Sequence, residues 1–461
     1  MTRAALLCIL LAAPASAAEL TVGFAETDVT PELGKKPVYL AGFGQNRTAT
    51  KVHDPIMARA VVLSDGRIKV AMVCVDVVGL FLPTVENVRA KLAGFDYVLV
   101  SSTHNHEGPD TLGLWGKSPF TSGVDPDYLR RVEDGAAAAI KAADQARKPA
   151  VARIGSAKGP ELLHDARQPQ VLHDDLVAIR FDPPGGGNPL GVLVQWNVHP
   201  ELLDDKNTEV SADHVGYTVT HLKAKYRCPV AYFTGTVGGL MTSLKVELKD
   251  AAGKPLADGT FEKTAVYGKR VGELADRALD AAQPVTLTPF VVRSRAFLIP
   301  MDNPLYRLAA TAGVLKRTIY TWDGNPSPAT YTVTKDLTQA VAVKSEVAVL
   351  RLGELDVAAI PGEIYPELVL GQVQTPADPG ADFPDAPAEP AVYAQLRGKH
   401  KMLIGLANDE LGYFIPKRQW DEKPPFCYGL KKSQYGEINS VGPETAPILC
   451  GQFAELVKTL K

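Results

Sequence analysis

Short apolar runs bounded by Gly, Pro, Asn and Asp recur along this chain, and they alternate with stretches in which apolar residues return every three or four positions. The first pattern is that of buried strands and the second that of amphipathic helices. Strands are expected at residues 60–63 and 68–75, around an Asp65-Gly66 turn, and at 97–101, 176–181, 190–196, 230–233, 347–352 and 357–360. Helices are expected at 83–92, at 127–145, where an alanine-rich stretch carries charges at helical spacing, and at 268–282. Strands mixed with helices in this order predict the α/β class in its mixed α+β form, with layered mixed sheets flanked by helices. No internal repeat is visible. The Pro-rich stretches 182–189 and 376–390 read as surface loops rather than linkers, so residues 19–461 are expected to form a single large catalytic domain.

The first residues depart from this alternation. Arg3 precedes an apolar stretch at 4–13, followed by Pro14 and the small residues Ala15-Ser-Ala-Ala18. These are the parts of a secretory signal peptide occupying residues 1–18. Cleavage is expected after Ala17 or Ala18, with export to the periplasm or the medium. The run is too short to span a bilayer, which takes about 20 apolar residues, and no later stretch reaches that length. Cys8 lies inside the apolar stretch rather than just after it, which argues against a lipoprotein anchor.

Composition narrows the class without choosing a function. Of 461 residues 46% are hydrophobic and 22% charged, as in soluble globular proteins. Lys and Arg number 49 against 52 Asp and Glu, a net charge of −3 without a basic block, which argues against nucleic acid as the partner. Cys74, Cys228, Cys427 and Cys450 lie beyond the signal and lack zinc-cluster spacing. Cys74 reads as a core thiol. Cys427 and Cys450 flank a polar loop, where an oxidising compartment would allow a disulfide.

The chemistry gathers at predicted strand ends. His104 and His106 follow the strand at 97–101, and residues two apart on an extended chain face the same side. His199 follows the strand at 190–196, in Gln195-Trp-Asn-Val-His-Pro200, and Glu363 follows that at 357–360, in Pro361-Gly-Glu363. Neutral imidazole and carboxylate are the ligands that hold Zn2+ with one position open. Zinc there lowers the pKa of a water towards 7 and polarises a carbonyl. Asp76, at the end of the strand 68–75, is placed either to orient a ligand histidine or to make a strand-end hydrogen bond. No G-x-S-x-G elbow is present, so a serine hydrolase is the weakest alternative.

Several segments together resemble the neutral/alkaline (non-lysosomal) ceramidases and their bacterial relatives, which are zinc-dependent N-acyl-amide hydrolases. Gly23-Phe-Ala-Glu-Thr-Asp-Val-Thr-Pro31 is similar to that family's first strand, and Ala41-Gly-Phe-Gly44 and Val52-His-Asp-Pro-Ile-Met-Ala-Arg-Ala60 to the two segments after it. Val75-Asp-Val-Val-Gly79 resembles the D-L-L-G segment. Thr103-His-Asn-His-Glu-Gly-Pro109 matches T-H-T-H-S-G-P, the most specific motif of the set. Pro361-Gly-Glu363 and Gly405-Leu-Ala-Asn-Asp-Glu-Leu-Gly-Tyr413 match P-G-E and G-x-A-N-x-x-x-G-Y. Order and spacing agree from about residue 20 to about 450.

Carried over by position, the resemblance implies that His104, His199, Glu363 and Tyr413 ligate zinc. Residue chemistry alone admits His106 as a ligand too and does not reach Tyr413. The resemblance also implies that His106 contacts the scissile carbonyl or transfers a proton. It offers Arg167, in His164-Asp-Ala-Arg167, as a substrate or oxyanion contact, with a surface ion pair as the other reading. Three departures stand out. Gly238-Gly-Leu-Met-Thr242 has Met241 where the family has a serine, Glu107 replaces a small polar residue, and the chain ends near where ceramidases continue into an immunoglobulin-like domain. The expected function is hydrolysis of a small-molecule N-acyl amide or lipid by a secreted zinc enzyme. An apolar groove for it is suggested at Met301, Leu305, Tyr306 and Leu308. Alternatives are a zinc esterase or lactonase, an amidase for a non-lipid compound, and a non-catalytic binding protein on the same scaffold.

Overall fold

The computed structural model describes residues 19–460, and the segment read as a signal peptide lies outside the described residues. Three principal sheets dominate, and each is wired in the same way. In the first, Thr21–Asp28, Met57–Ser64 and Lys69–Val75 pair antiparallel in succession, and Tyr97–Ser102 then joins Lys69–Val75 in parallel. In the second the corresponding strands are Val151–Lys158, Asp175–Asp182, Gly191–Trp196 and Val230–Thr234. In the third they are Phe290–Pro300, Val341–Leu352, Leu355–Ala359 and His400–Ile404. Each parallel pair needs a crossover, supplied by helices Leu82–Ala90 and Asp213–Tyr226 in the first two sheets. The topology therefore repeats three times although the sequence shows no repeat. The predicted mixed α/β class is observed.

Strand periodicity explains how the sheets assemble. Alternate residues of every central strand face a core shared by all three sheets: Val61 and Leu63 from the first, Ile179 and Phe181 from the second, Leu350 and Leu352 from the third. The intervening residues face helices. Ala60 and Val62 pack under Pro126–Gln145, Leu176 and Ala178 under Asp213–Tyr226 and Phe261–Asp280, and Val347 and Val349 lie in the core that holds Thr445–Val457. Both faces are buried, which is why these strands read as continuous apolar runs. Each large aliphatic side chain so placed contributes about 1.5–3 kcal/mol. The predicted elements at 68–75, 97–101, 127–145 and 190–196 fall on observed ones of nearly the same extent, and that at 60–63 lies inside a longer strand, Met57–Ser64. Strand Val151–Lys158 and helix Asp213–Tyr226 were not expected, because Arg, Ser and Lys interrupt the first and the second carries only a narrow apolar stripe.

The carboxyl ends of the three fourth strands meet. Thr234 donates its hydroxyl to the carbonyl of Thr103 at 2.8 Å, and Gly405 donates its N–H to the carbonyl of Thr234 at 3.0 Å. Asn408 donates its N–H to Val100 at 2.7 Å. This junction, joining one strand from each sheet, aims the following loops at a common point. Elsewhere the disulfide suggested by Cys427 and Cys450 is not formed, and the four described cysteines are free and buried. Cys450 packs inside helix Thr445–Val457, whereas Cys427 caps a turn by donating its N–H to Asp421 at 3.0 Å. Among the described residues no helix is long and apolar enough to cross a membrane.

Candidate active site

The loops beyond the junction carry the chemistry. Chain direction changes at His104, which adopts a left-handed φ of 67° just past strand Tyr97–Ser102. The two histidines of the H-x-H pair therefore converge through a turn rather than through strand pleating. Between them Asn105 is buried and anchors the turn, donating its side-chain amide to the carbonyls of Asp76 and Ser211 and accepting from the N–H of Glu107. The rings of His104 and His106 stand 4.9 Å apart, and those of His104 and His199 stand 4.8 Å apart. Glu363 and Tyr413 are partners in a short parallel ladder, which places the two side by side. His199 Nε2 lies 3.0 Å from a Glu363 oxygen, His104 Nε2 3.3 Å from the same oxygen, and the Tyr413 hydroxyl 3.4 Å from His199 Nε2.

Hydrogen bonds on the far side of each ring fix which nitrogen faces inward. His104 Nδ1 donates to the carbonyl of Val78 at 2.7 Å and His199 Nδ1 to that of Met241 at 3.0 Å. Both Nε2 atoms are directed at one carboxylate oxygen, as lone pairs in the neutral rings and as donors to it when protonated. Two lone pairs and an anion at about 3 Å repel unless a proton or a cation lies among them, so the donor set suits a metal ion. The ring nitrogens of His104, His106 and His199 also lie within 4.8 Å of one another, a buried group able to hold a metal. Burial opposes the charge of Glu363, yet the adjacent His104 and His199 hold its carboxyl well below the usual range.

His106 differs from its two neighbours. Its Nδ1 has no hydrogen-bond partner and stands 3.6 Å from Glu201. Burial, with His104 and His199 alongside, pushes its pKa well below the ordinary value. Its backbone is held by Arg47, which donates to the His106 carbonyl and pairs with buried Glu107 at 2.9 Å. The extra charge of Glu107 is thus balanced from behind the site rather than presented to it. Gly42, at a left-handed φ of 94°, leaves room for the imidazole: a Cβ there would stand 2.2 Å from His106 Cγ. Gly42→Ala is therefore expected to displace the ring. The His106 imidazole resonances in an NMR spectrum should shift accordingly, and unchanged resonances would show that the ring tolerates the methyl group.

Two further candidates are placed away from the donor group. Asp76 does not orient a ligand histidine; its carboxylate accepts from Arg59 at 2.6 Å and from the N–H of Met57, and backbone carbonyls do the orienting. Arg167 is not brought into the group and is not a surface ion pair. It is 3% exposed and pairs with buried Glu437 at 2.6 Å. It also donates to the carbonyl of Tyr435 and lies over the Tyr365 ring. Tyr365 and Tyr435 flank Tyr413 at ring separations of 5.9 and 5.7 Å, so Arg167 backs the wall that positions Tyr413. Sequence reasoning also passed over Glu201, although it lies two residues beyond His199.

The donors open onto a cavity of about 200 Å³. Phe43, Phe81, Leu112, Trp115, Met301 and Leu315 supply apolar walls. An adjoining surface groove shares Phe43, Trp115 and Tyr306 with it and is rimmed by Phe120, Leu305, Leu308 and Ile438, each at least half exposed. Of the four residues suggested for a groove, Met301 and Tyr306 thus line the cavity, and Leu305 and Leu308 the groove outside.

Fold and site together define a three-sheet α/β protein with a buried histidine–carboxylate–tyrosine centre suited to a metal. The fold is that of neutral ceramidase. The crystal structure of neutral ceramidase from Pseudomonas aeruginosa matches with a TM-score of 0.71 at 16% identity, covering 96% of this chain and 74% of that one. A structure described as ceramidase complexed with C2 matches at the same TM-score and identity, with 75% of its chain covered. No family model and no curated protein matches the sequence. The chain is ceramidase-like in fold, as its motifs implied.

Proposed function

We propose that residues 19–461 form one catalytic domain that hydrolyses an N-acyl amide with Zn2+ held by His104, His199, Glu363 and Tyr413, acting after export. The observation that carries this reading is the pair of inward ring nitrogens, His104 Nε2 and His199 Nε2, focused on one Glu363 oxygen. Zinc bound there would supply Lewis acidity towards a carbonyl oxygen and activation of water. The chain's own residues do the rest. Val78 and Met241 hold the ligand tautomers, and Glu363 supplies the negative charge that neutral imidazoles lack. His106, free at Nδ1, is placed to donate to the developing oxyanion or to carry a proton to the leaving amine. Apolar walls exclude water and favour a hydrocarbon chain beside the amide, and the exposed groove outside extends that surface. Met241 leaves no serine nucleophile at that position, so direct attack by water fits better than an acyl-enzyme. The likeness to ceramidase structures supports an amide substrate.

The test joins metal analysis to turnover. Purified protein should carry about one zinc per chain, and it should hydrolyse N-acyl-sphingosine or another N-acyl amide in preference to matched esters and lactones. Preference for the esters would make it an esterase. Bound zinc with no turnover of any member would make it a binding protein.

A further inference from the structure

Glu410 is the one acid of the cavity that the donor group does not use. It is 5% exposed and lines the cavity beside Leu411, Gly412 and Tyr413. One carboxyl oxygen accepts from the N–H of Gly412 at 2.8 Å. The other, Oε2, is buried and has no hydrogen-bond partner in the protein. The main chain that carries it is held from behind. Arg317 donates to the Glu410 carbonyl at 3.0 Å and commits another nitrogen to Asp409 at 2.6 Å. A Cβ on Gly79 would stand 2.8 Å from Glu410 Cγ, so the absence of a side chain at Gly79 makes the space that Glu410 fills. Tyr306 lines the same wall, near enough that Glu410, after burial, is the main cause of its raised hydroxyl pKa. A buried carboxyl oxygen without a partner is costly, and on a residue that lines a cavity it marks where a ligand atom would be accepted.

We propose that Glu410 is a specificity-determining residue and that its free oxygen hydrogen-bonds a hydroxyl carried by the substrate near the scissile bond. A hydroxyl suits this position in either protonation state, because it donates to a carboxylate and accepts from a carboxylic acid. Burial and the charge of Glu363 push the Glu410 carboxyl well above its usual range, which favours a neutral partner. An alkyl group in the same place would leave Oε2 unpaired, so the site rejects it. The inference rests on the amide-hydrolase reading for the kind of molecule that enters the cavity.

Its test uses ligands that cannot turn over, so that it stands apart from that reading. Binding of N-(2-hydroxyethyl)dodecanesulfonamide and N-propyldodecanesulfonamide to the zinc-loaded protein is measured by calorimetry in wild type, Glu410→Gln and Glu410→Leu. The wild type should bind the hydroxyethyl ligand tighter by on the order of 10–100-fold. Glu410→Gln, which keeps the hydrogen-bonding capacity and the shape, should retain most of that ratio, and in Glu410→Leu it should collapse towards one. Equal binding in the wild type, a ratio that survives in Glu410→Leu, or no binding of either ligand would overturn the assignment. Turnover of the matched N-lauroyl amides, run in parallel, tests the hydrolase separately: selective binding without turnover removes the reaction and leaves the role of Glu410.

Discussion

Alanine at His199 is expected to strip the protein of its metal and to lower amide hydrolysis by about 10³-fold or more, the scale of several kcal/mol of transition-state stabilisation at 1.36 kcal/mol per decade. The ring is fully buried, it holds Nε2 3.0 Å from Glu363, and the N–H bond from its Nδ1 to the Met241 carbonyl allows no other tautomer. Truncation leaves that carbonyl without its donor and removes one of the two nitrogens focused on Glu363. His104→Ala should behave alike, for the same reasons at Val78 and Glu363. His106→Ala separates two donor sets. If the metal is held by His104, His199, Glu363 and Tyr413, that variant keeps its zinc and loses about 10²–10⁴-fold in kcat, the range for a general acid–base group. If it loses zinc as His199→Ala does, the three-histidine group is the ligand set. Elemental analysis beside kcat and KM for the three variants decides.

Arg167→Met should be strongly destabilising. It leaves Glu437 buried without its partner, a loss of about 3–5 kcal/mol for breaking a buried pair. Both side chains are almost wholly buried, and Glu437 accepts from the guanidinium at two oxygens, 2.6 and 2.8 Å. Removing both charges in Arg167→Met/Glu437→Leu should recover most of the lost stability, because the uncompensated carboxylate is then gone. Urea unfolding of the two variants measures this. The same double variant tests the role of the arginine. A positioning residue that acts through Tyr435 and Tyr365 predicts kcat/KM within about tenfold of wild type, well short of the 10²–10³-fold that loss of an oxyanion donor costs. A stable double variant that had lost 10²-fold or more would put the guanidinium at the reacting carbonyl.

The strands and long helices were legible in the sequence because burial on both faces writes itself as an apolar run, and a helix on one sheet writes itself as a stripe. The site was legible at His104, His106, His199 and Glu363, since each is a metal-binding type standing just past an apolar run. Tyr413 came only from its motif. Residues whose roles depend on partners far along the chain were not legible. Arg167 meets Glu437 across 270 positions, and Glu410 gains meaning only from a cavity with walls drawn from segments as far apart in sequence as Gly42 and Val441.

The sequence by itself determined local conformation, the apolar faces and the types of side chain at the strand ends, because these depend on neighbours along the chain. Tertiary structure alone decided that three sheets of the same topology meet at the ends of their parallel strands, through bonds such as Thr234 to Thr103 and Gly405 to Thr234. That junction brings His104, His199 and Glu363, one from each sheet, to a single point. Ring nitrogens converge there, and Asp76 and Arg167 turn away, because pairing between distant segments sets the direction of each side chain.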